Sequence, residues 1–443
     1  MKELVLVGIS HQVAPVELRE RLALTERQAE ALVGELCAEP LIAEAVAIST
    51  CNRTELYVVG TPAHAQAATL ARLAAHAAID PDELGASIYT PRNCEAARHL
   101  FRVTAGLESM VLGEHEIHGQ VRRAYEAARA LGSTGPLTNR LFAAALQTGK
   151  RVRAETSIAR SHVSLSSVAV DLAEQLLGEL RERPVVIIGA GETSELTAQA
   201  LAGRGAGTMF VANRHADRAR SMAQRFGGEV VGLERLPEAL EAADIVLSST
   251  ASPHAIVGRE ELELVMAARE GRPLLVIDIA VPRDIDPRCR ELAGVTLRDI
   301  DDLESVVARN LSARAADLPA AERIVEQEIV RFARWLGQLD VRPTIAALHR
   351  RGDDIVDRVL EENAGRWETA SKRDLARIEA LARAVMNRLL HEPTIRLQSL
   401  DAERSHGHVA LLGDLFALRE ADGGEDGAQP ASGTVRELRR SQP

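Results

Sequence analysis

Three regions with different periodicities of apolar residues follow one another along the chain. In the first, short apolar runs at 4–9 and 45–48 alternate with segments whose apolar residues recur at helical spacing. Such runs are typical of buried strands, and the helical spacing is typical of amphipathic helices. The pattern therefore predicts an α+β domain over residues 1–157. Its helices are predicted at 17–22, 26–37, 64–77, 93–104, in a segment that reaches 131, and at 137–154.

Strand and helix signals alternate regularly in the second region. Apolar runs at 184–188, 208–212, 245–248 and 274–279 are separated by helical segments. This alternation is typical of a parallel sheet with crossover helices. We therefore predict a Rossmann-like domain over residues 158–302.

The third region is helical throughout. Residues 303–339 could form one very long helix, in which Pro319 either causes a kink or stands in the first turn of a second helix capped by Asp317. Two more helices are predicted at 344–363 and 371–390.

Apolar stripes on these helices need a core or a partner helix to cover them. They include Ile345, Leu348, Ile355, Val359, Ile378, Leu381 and Val385. We therefore predict a helical linker and oligomerisation module over 303–420. The tail at 421–443 is rich in Gly, Glu, Asp, Ser and Pro, a composition typical of disorder.

Composition narrows the class of protein. A chain of 443 residues is long enough for two or three domains, and 46% apolar with 26% charged residues is typical of a globular protein. No apolar run approaches the length of a membrane span, and the N-terminus does not resemble a signal peptide. The net charge of −11 argues against indiscriminate nucleic-acid binding. The cysteines form no Cys-x-x-Cys pair, which predicts reduced thiols in the cytoplasm: Cys37, Cys51, Cys94 and Cys289.

Cys51 is the candidate nucleophile of the first region. It lies in the segment Ser49-Thr50-Cys51-Asn52-Arg53-Thr54-Glu55, directly after a predicted strand. A thiol attacks an acyl group only as thiolate, and Arg53 is the nearest cation in the sequence that could lower its pKa. Arg53 could equally hold a substrate carboxylate in a two-pronged hydrogen bond. The alternative is that Cys51 is a small buried hydrophobic residue.

Gly189-Ala190-Gly191 follows the first predicted strand of the second region and precedes a helix that begins with Glu192, Thr193 and Ser194. Glycines at such a turn let the backbone approach a pyrophosphate, which the helix N-terminus then binds. Ser194 stands where a third glycine is usual, and it is small enough for helix–strand packing. The next strand ends in Asn213-Arg214 without the acid of an NAD site, so Arg214, with Arg218 as a second candidate, favours NADP.

Four motifs in order resemble those of the glutamyl-tRNA reductase family. Besides the Cys51 segment they are Gly8-Ile9-Ser10-His11, Gly106-Leu107-Glu108-Ser109-Met110-Val111-Leu112-Gly113-Glu114 and Val186-Ile187-Ile188-Gly189-Ala190-Gly191-Glu192. The resemblance covers about residues 1–415. It implies an α/β multidomain chain: an α+β catalytic domain, a Rossmann-like NADP-binding domain, and an all-helical dimerisation domain joined by a long helix.

The resemblance also implies an activity. The family reduces glutamyl-tRNA to glutamate-1-semialdehyde with NADPH through a cysteine thioester, at the start of the five-carbon route to 5-aminolevulinate and tetrapyrroles. It implies a homodimer, and an aminomutase that takes over the unstable product is a partner it suggests.

Site residues follow from the motif positions of this family. The resemblance assigns catalysis to Cys51 and His99. It assigns the glutamyl group to Thr50, Asn52, Arg53, Ser109, Glu114, His115, Glu116 and Gln120. The family usually has Gln where this chain has Glu116, which puts that contact in question.

Several alternatives stay open at this point. The cluster of His99, His115 and His118 with neighbouring glutamates contains metal-ligand types, but its spacing matches no zinc motif, and no metal is predicted. The basic stretch at 122–153 is either a solvated helix face or a tRNA contact. A small-molecule oxidoreductase of the shikimate-dehydrogenase type and a non-enzymatic helical scaffold are the rival functions.

Two domains must also meet if hydride is to reach a thioester on Cys51. We expect the second region to swing between open and closed arrangements, with hinges at 156–162 and 296–302. Without tRNA, Cys51 and the nicotinamide site are expected to lie too far apart for hydride transfer.

Overall fold

The structure is a computed structural model. It describes residues 2–114, 116–156, 158, 165–213, 216–303, 317–367, 370–398, 411–416 and 418. The chain forms two compact units, Met1–Phe332 and Ala333–Pro443. The first unit contains two domains, which we call the first and second domain.

A three-stranded antiparallel sheet is the centre of the first domain. Its strands are β1 (Glu3–Ser10), β2 (Ile42–Ser49) and β3 (Arg53–Gly60), with β3 in the middle. All eight residues of β3 are buried, because helices cover both faces of the sheet. The helices are α1 (Val16–Leu22), α2 (Glu26–Cys37), α3 (Pro62–Ala77), α4 (Pro81–Leu84), α5 (Asn93–Thr104), α6 (Glu116–Leu131) and α7 (Pro136–Glu155), with a 3₁₀ turn at Gly85–Ser87.

The local sequence explains where these elements begin. Thr25 caps α2 with a full capping box to Gln28, as the sequence predicts. Asn93 does not cap α5 as predicted but is its first residue, and its side chain accepts from the backbone N–H of Leu4 at 3.2 Å. Asn93 therefore fastens α5 to β1.

A six-stranded parallel sheet forms the second domain, in the order β6-β5-β4-β7-β8-β9. This is the doubly wound order of dinucleotide-binding domains, so the predicted Rossmann-like fold is confirmed. The strands are β4 (Val185–Ile188), β5 (Met209–Ala212), β6 (Glu229–Val231), β7 (Ile245–Ser248), β8 (Leu274–Asp278) and β9 (Val295–Asp299). The helices are α8 (Leu165–Leu177), α9 (Glu192–Gly203), α10 (Ala216–Phe226), α11 (Leu236–Ala242) and α12 (Arg259–Ala268), with 3₁₀ turns at Leu233–Arg235 and Pro287–Glu291.

The predicted hinge at 296–302 is wrong. Most of it is strand β9, which pairs with β8 from Val295 to Asp299. Ile300 and Leu303 are fully buried in the core of the second domain. The segment is therefore anchored rather than free to bend. Most of the other predicted hinge, 156–162, lies outside the described residues.

The helical region differs from its predicted boundaries. Helix α13 (Leu318–Glu362) runs for 45 residues, with Pro319 in its first turn, where a missing N–H costs nothing. No break separates 339 from 344, so the predicted second helix is the continuation of α13. Helix α14 (Lys372–Gln398) extends beyond the predicted end at 390 and carries Pro393 inside it. A 3₁₀ turn at Ala364–Trp367 precedes it.

Parts of the predicted linker and tail, 304–316 and 421–443, lie outside the described residues. The predicted domain boundaries at 157, 302 and 420 stay predictions. Among the described residues no helix is long and apolar enough to cross a membrane.

An apolar stripe on α14 is left open in the single chain. Leu381, Val385 and Leu389 follow one another at four-residue spacing and are 67%, 59% and 64% exposed. Neighbouring side chains of the same helix face inward, since Leu390 and Leu397 are buried. The stripe is the surface that the sequence assigns to a second copy of the chain.

Replacing Leu389 with Glu should therefore convert a dimer into a monomer, because a charge would have to be buried in an apolar interface. Sedimentation velocity measures the change. Leu264→Glu is the matched control, since Leu264 on α12 is 74% exposed and stands apart from the stripe. A dimer that survives Leu389→Glu would move the interface to another surface.

Candidate active site

The turn between β2 and β3 holds Cys51 in a fixed conformation. The backbone N–H of Thr50 donates to the carbonyl of Arg53 at 2.8 Å. The Thr50 hydroxyl accepts from the backbone N–H groups of Asn52 and Arg53, both at 3.2 Å. From α1, Arg19 donates to the carbonyl oxygen of Cys51 at 2.9 Å and to Asn52 Oδ1 at 3.3 Å. Thr50 and Arg19 therefore orient the turn that carries the thiol.

Glu55 is a fully buried carboxylate beneath this turn, and four side chains donate to it. Arg53 and His99 bind Oε1 at 2.7 and 2.8 Å, Tyr89 binds the same oxygen at 2.7 Å, and Tyr57 binds Oε2 at 2.7 Å. Burial alone would raise the pKa of Glu55, but the charges of His99 and Arg53 and the hydrogen bonds hold it well below its usual range. Glu55 is therefore ionised and ties β3, α5 and the segment around Tyr89 together.

Arg53 is engaged on two sides. Besides Glu55 it donates through Nη2 to the backbone carbonyl of Glu108 at 2.5 Å, and its side chain is 2% exposed. The hypothesis that Arg53 lowers the pKa of the Cys51 thiol is not supported, because the cation that acts on this thiol is Arg19. Arg53 instead fastens the loop after α5 to β3.

The loop between α5 and α6 turns at a glycine and places Glu114 beside Cys51. Gly113 has φ +80°, and a side chain there would collide with the carbonyl of Ile158 at 2.4 Å. Its backbone N–H donates to the carbonyl of Gly106 at 2.9 Å, and that of Glu114 to Val111 at 3.0 Å. The segment from Gly106 to Gly113 therefore positions Glu114 just before the start of α6.

Cys51 lies in a cleft of about 260 Å³ between the first and second domains. The first domain contributes Thr50, Cys51, Glu114, Glu116 and Gln120 among others. The second contributes Thr193 and the residues that follow β7 and β8, which are Ser249, Thr250, Ala251, Ile279, Ala280 and Val281.

The first and second domains are in contact around Cys51 in this structure, and the open arrangement without tRNA stays a prediction. Cys51 packs against the core of the second domain, and the strand ends where a nicotinamide should lie face the same cleft. Across the interface, Thr193 donates to Glu116 at 3.3 Å, and Arg283 donates to Glu20 at 2.8 Å. These contacts hold the domains in a closed arrangement.

The surroundings of Cys51 oppose ionisation of its thiol. Burial, followed by the charges of Glu114 and Glu116, raises the pKa of Cys51 to about 12, and Arg19 only partly opposes this. Burial and the neighbouring Glu116 raise the pKa of Glu114 to about 7. The pKa of Glu116 is raised in the same way, first by burial and then by Glu192. A cation that neutralises these carboxylates would lower the pKa of the thiol by removing their contribution, while the larger contribution of burial would remain.

A second cleft, of about 280 Å³, follows the carboxyl ends of β4 and β5. Gly189 has φ +120°, and a Cβ there would lie 2.5 Å from the carbonyl of Ser249. A Cβ on Gly191 would meet open space, so the start of α9 is accessible to a ligand. Its lining includes Gly189, Ala190, Gly191, Asn213, Arg218, Leu233 and Ser252. These residues fit the pyrophosphate and adenosine end of a dinucleotide.

The other predicted cofactor residues divide into three groups. Ser194 is buried and donates to the carbonyl of Ser249 at 3.2 Å, so it packs α9 against the sheet. Thr193 lines the Cys51 cleft, whereas Glu192 faces Arg123 at 3.8 Å. Arg214 lies outside the described residues.

A buried pair of acids lies behind the strand ends of the second domain. Asp284 accepts from the hydroxyls of Ser248 and Thr250, at 2.6 and 2.5 Å. Asp278 accepts from the backbone N–H groups of Ala280 and Ile285. Burial and the nearby Asp284 raise the pKa of Asp278 to about 8. The pair fixes the segment after β7, which lines both clefts, and the segment after β8, which lines the Cys51 cleft.

The structure thus brings together only some of the predicted site residues. Thr50, Cys51, Glu114, Glu116 and Gln120 line the Cys51 cleft. Asn52, Arg53 and His99 belong to the contacts of the turn and of Glu55, and Ser109 follows the carbonyl that Arg53 binds. His115 lies outside the described residues.

Sequence reasoning did not identify several residues that shape the site. They are Arg19, Glu55, Tyr57, Tyr89, Asp278 and Asp284. A signal existed for Glu55, because a lone acid inside a run of buried strand residues requires buried donors. Among the described residues, no group of three or more His, Cys, Asp or Glu side chains is arranged to hold a metal ion.

The fold and the site define an oxidoreductase with a nicotinamide cofactor and a thiol at its substrate cleft. Three family models match the chain: the N-terminal domain of glutamyl-tRNA(Glu) reductase at 7–156, shikimate/quinate 5-dehydrogenase at 171–306, and the dimerisation domain of glutamyl-tRNA(Glu) reductase at 320–418.

Relatives match over nearly the whole length. The glutamyl-tRNA reductase of Pelotomaculum thermopropionicum is 41% identical, covering 98% of both chains. That of Geobacter sulfurreducens is also 41% identical, covering 94% of this chain and 96% of its own. The solved glutamyl-tRNA reductase of Methanopyrus kandleri is 33% identical with a TM-score of 0.52, covering 94% of this chain and 100% of its own. The chain belongs to the glutamyl-tRNA reductase family.

Replacing Glu55 with Gln should lower the free energy of unfolding by about 3 kcal/mol, because Arg53 would lose its buried counter-charge. Since the folded-state pKa of Glu55 is depressed, its contribution is complete above the unfolded pKa and is lost as pH falls through the folded one. The difference between wild type and variant in urea unfolding should therefore be largest near neutral pH and shrink in acid. Glu35→Gln, at an exposed surface pair with Arg72, is the control. Equal stability of the Glu55 variant at pH 7 would contradict this account.

Proposed function

We propose that this chain catalyses the NADPH-dependent reduction of glutamyl-tRNA(Glu) to glutamate-1-semialdehyde through a thioester on Cys51. This is the first step of the five-carbon route to 5-aminolevulinate and tetrapyrroles. The observation that carries the proposal is the shared cleft, in which Cys51 faces the strand ends of a dinucleotide-binding domain. A thiol and a hydride source need this proximity if one substrate carbon is to meet both.

Acyl transfer begins with activation of the thiol. The α-ammonium of the glutamyl ester is a cation that could pair with Glu114 and Glu116, which line the cleft beside Cys51. Its binding would neutralise the charges that raise the pKa of Cys51, so the substrate would promote its own attack. Glu114, with its pKa of about 7, can accept the thiol proton near neutral pH. The sulfur forms the C–S bond, the ester C–O bond breaks, and the leaving tRNA oxygen takes the proton that Glu114 accepted from the thiol.

Reduction completes the cycle. A bound NADPH would supply the hydride for the thioester carbonyl. The C–S bond then breaks, the aldehyde leaves, and the Cys51 sulfur takes up a proton from solvent, which Glu114 in the same cleft can relay. The acid pair Asp278 and Asp284 holds the segments that line the cofactor side.

Substrate recognition is assigned to the residues around the turn. Thr50 and Glu114 line the cleft and are assigned to the glutamyl group. Arg53, with its terminal nitrogens bound to Glu55 and to the Glu108 carbonyl, holds the turn behind them. Gln120 and Glu116 lie on the opposite wall. In this chain Glu116 also accepts from Thr193 of the second domain, a contact that an amide oxygen could also accept.

The tRNA end needs a route to Cys51. A groove of about 450 Å³ between α2 and α6 shares Leu24, Ser49 and Gln120 with the Cys51 cleft, and Arg123 stands on its wall. We assign the acceptor end to this groove. The basic stretch at 122–153 contributes less than its sequence suggests, since Arg151 is paired with Glu155 and Glu328.

NADPH is preferred over NADH in this proposal because the cofactor cleft contains Arg218 and no acid next to Asn213. Arg214 is the second candidate for the 2′-phosphate. A homodimer through residues 320–418, a cytoplasmic location suited to free thiols, and transfer of the product to an aminomutase complete the proposal.

Cys51→Ser should abolish both the glutamyl adduct and aldehyde formation, because a hydroxyl without a paired base is a far weaker nucleophile. NADPH binding, measured by fluorescence titration, should stay unchanged, since the cofactor cleft lies in the second domain. Cys94→Ser, at a half-buried thiol on α5, is the matched control and should keep full activity. Intact-protein mass spectrometry with glutamyl-tRNA and no cofactor measures the adduct. Turnover near wild type in Cys51→Ser would sink the proposed mechanism.

Arg218→Glu should weaken NADPH binding at least about tenfold while leaving NADH within about twofold, because only the former carries the 2′-phosphate that would face a new negative charge. Arg220→Glu is the control, because Arg220 lies two residues further along α10 and is paired with Asp217. Equal losses for the two cofactors would show that Arg218 does not distinguish them.

A further inference from the structure

Arg19 is a buried cation that joins the nucleophile turn to the second domain. Its residue is 3% exposed. One nitrogen, Nη1, donates to the Cys51 carbonyl and to Asn52 Oδ1. The other, Nη2, forms an ion pair with Asp301, which follows β9. Asp301 also accepts from the backbone N–H of Val16 at 3.1 Å, so the carboxylate fixes the start of α1 as well.

The charges around Cys51 make this ion pair consequential. Glu114 and Glu116, from the loop before α6 and its first residue, disfavour the thiolate, whereas Arg19 from α1 favours it. Asp301 is the carboxylate paired with that single favourable cation. When Asp301 is present, part of the positive potential of Arg19 is cancelled. When the second domain moves away, Arg19 would keep its hydrogen bonds to the turn and lose its counter-charge.

A second ion pair docks the same helix without touching the turn. Arg283 of the second domain donates to Glu20 through Nε at 2.8 Å and through Nη2 at 3.0 Å, and to Glu17 at 3.1 Å. Glu17 and Glu20 bind Arg283, whereas Arg19 binds the Cys51 turn. The molecule therefore offers two domain contacts on α1, of which only one reaches the nucleophile.

We propose that Arg19 is a positioning residue that couples the seating of the cofactor domain to the reactivity of Cys51. With Asp301 engaged, Arg19 holds the Cys51 turn against the second domain in the geometry needed for reduction. With Asp301 withdrawn, the same guanidinium favours the thiolate and thus the acylation step. The inference rests on the proposed function, because it assigns the two steps to two arrangements of the domains.

The test distinguishes an effect of charge on the pKa of the Cys51 thiol from an effect on the contact between α1 and the second domain. The variants are Asp301→Asn, Arg19→Gln, Arg19→Lys, and the docking control Arg283→Gln. The first measurement is the rate of Cys51 alkylation by iodoacetamide against pH, followed by peptide mass spectrometry, without tRNA or cofactor. The second is the rate of the glutamyl adduct without NADPH, and the third is aldehyde formation with NADPH.

The alkylation midpoint is the pH at which the alkylation rate of Cys51 reaches half its maximum. Asp301→Asn should move this midpoint to lower pH by at least about half a unit, which is about a threefold gain in the thiolate fraction below the midpoint. It should keep or raise the adduct rate and lower aldehyde formation about tenfold. Arg19→Gln should move the midpoint to higher pH, and Arg19→Lys should restore the midpoint but not aldehyde formation, since lysine cannot bridge three acceptors. Arg283→Gln should lower aldehyde formation without moving the midpoint.

In an Arg19→Gln background, Asp301→Asn should not lower aldehyde formation further, because the link between the turn and the second domain is already broken. A further loss of about tenfold in that double variant, or no midpoint shift in Asp301→Asn itself, would overturn the inference and leave Arg19 a structural cation. If Arg19→Gln does not fold, the other two variants still test the inference. It requires a shifted alkylation midpoint in Asp301→Asn and an unchanged midpoint in Arg283→Gln. Absence of a glutamyl adduct in the wild type would overturn the proposed function instead, because the alkylation profile requires neither tRNA nor NADPH.

Discussion

A single ionised carboxylate under the nucleophile turn organises the first domain. Glu55 lies on the middle strand with no exposed side-chain surface, so each of its lone pairs must be met inside the protein. The donors come from β3, from α5 and from the segment that contains Tyr89, and they can meet only if these elements pack in one arrangement. The same carboxylate fixes Arg53, and Arg53 fixes the loop that leads to Glu114. The substrate side of the cleft therefore depends on this buried charge.

The cofactor side follows the same logic with a different pair of acids. Asp278 and Asp284 stand at the end of β8 and just beyond it, and they receive hydroxyl and backbone donors from the segments that line the cleft. Neither acid has a nearby cation that lowers its pKa, so burial raises the pKa of both. Neighbouring cations thus keep Glu55 ionised, whereas burial favours the protonated forms of Asp278 and Asp284. Both arrangements stiffen loops that a dinucleotide and a thioester would share.

Local patterns in the sequence were sufficient for the fold and for half of the site. The apolar runs predict four of the six strands of the parallel sheet. They miss the short, exposed β6 and also β9, most of which falls within a predicted hinge. The glycine turn before α9 marks the cofactor cleft. The continuity of α13 past Pro343 was not predictable, because a proline normally ends a helix and only packing can override it. The roles of Arg19 and Asp301 were also hidden, since 282 residues separate them and only the closed fold joins them. Arg53, the cation nearest Cys51 in the sequence, is taken by Glu55 instead.

The balance of charge around Cys51 explains why a nucleophile is buried beside two carboxylates. A thiol with a low pKa would be reactive at all times, and it would lie open to oxidation and to acyl donors other than the substrate. Here the resting thiol is protonated, because burial, Glu114 and Glu116 oppose the thiolate. Those carboxylates are also the groups that a substrate ammonium would neutralise. In the proposed mechanism, selectivity and activation would share one electrostatic arrangement, because a ligand without this cation would leave both carboxylates charged and the thiol pKa high.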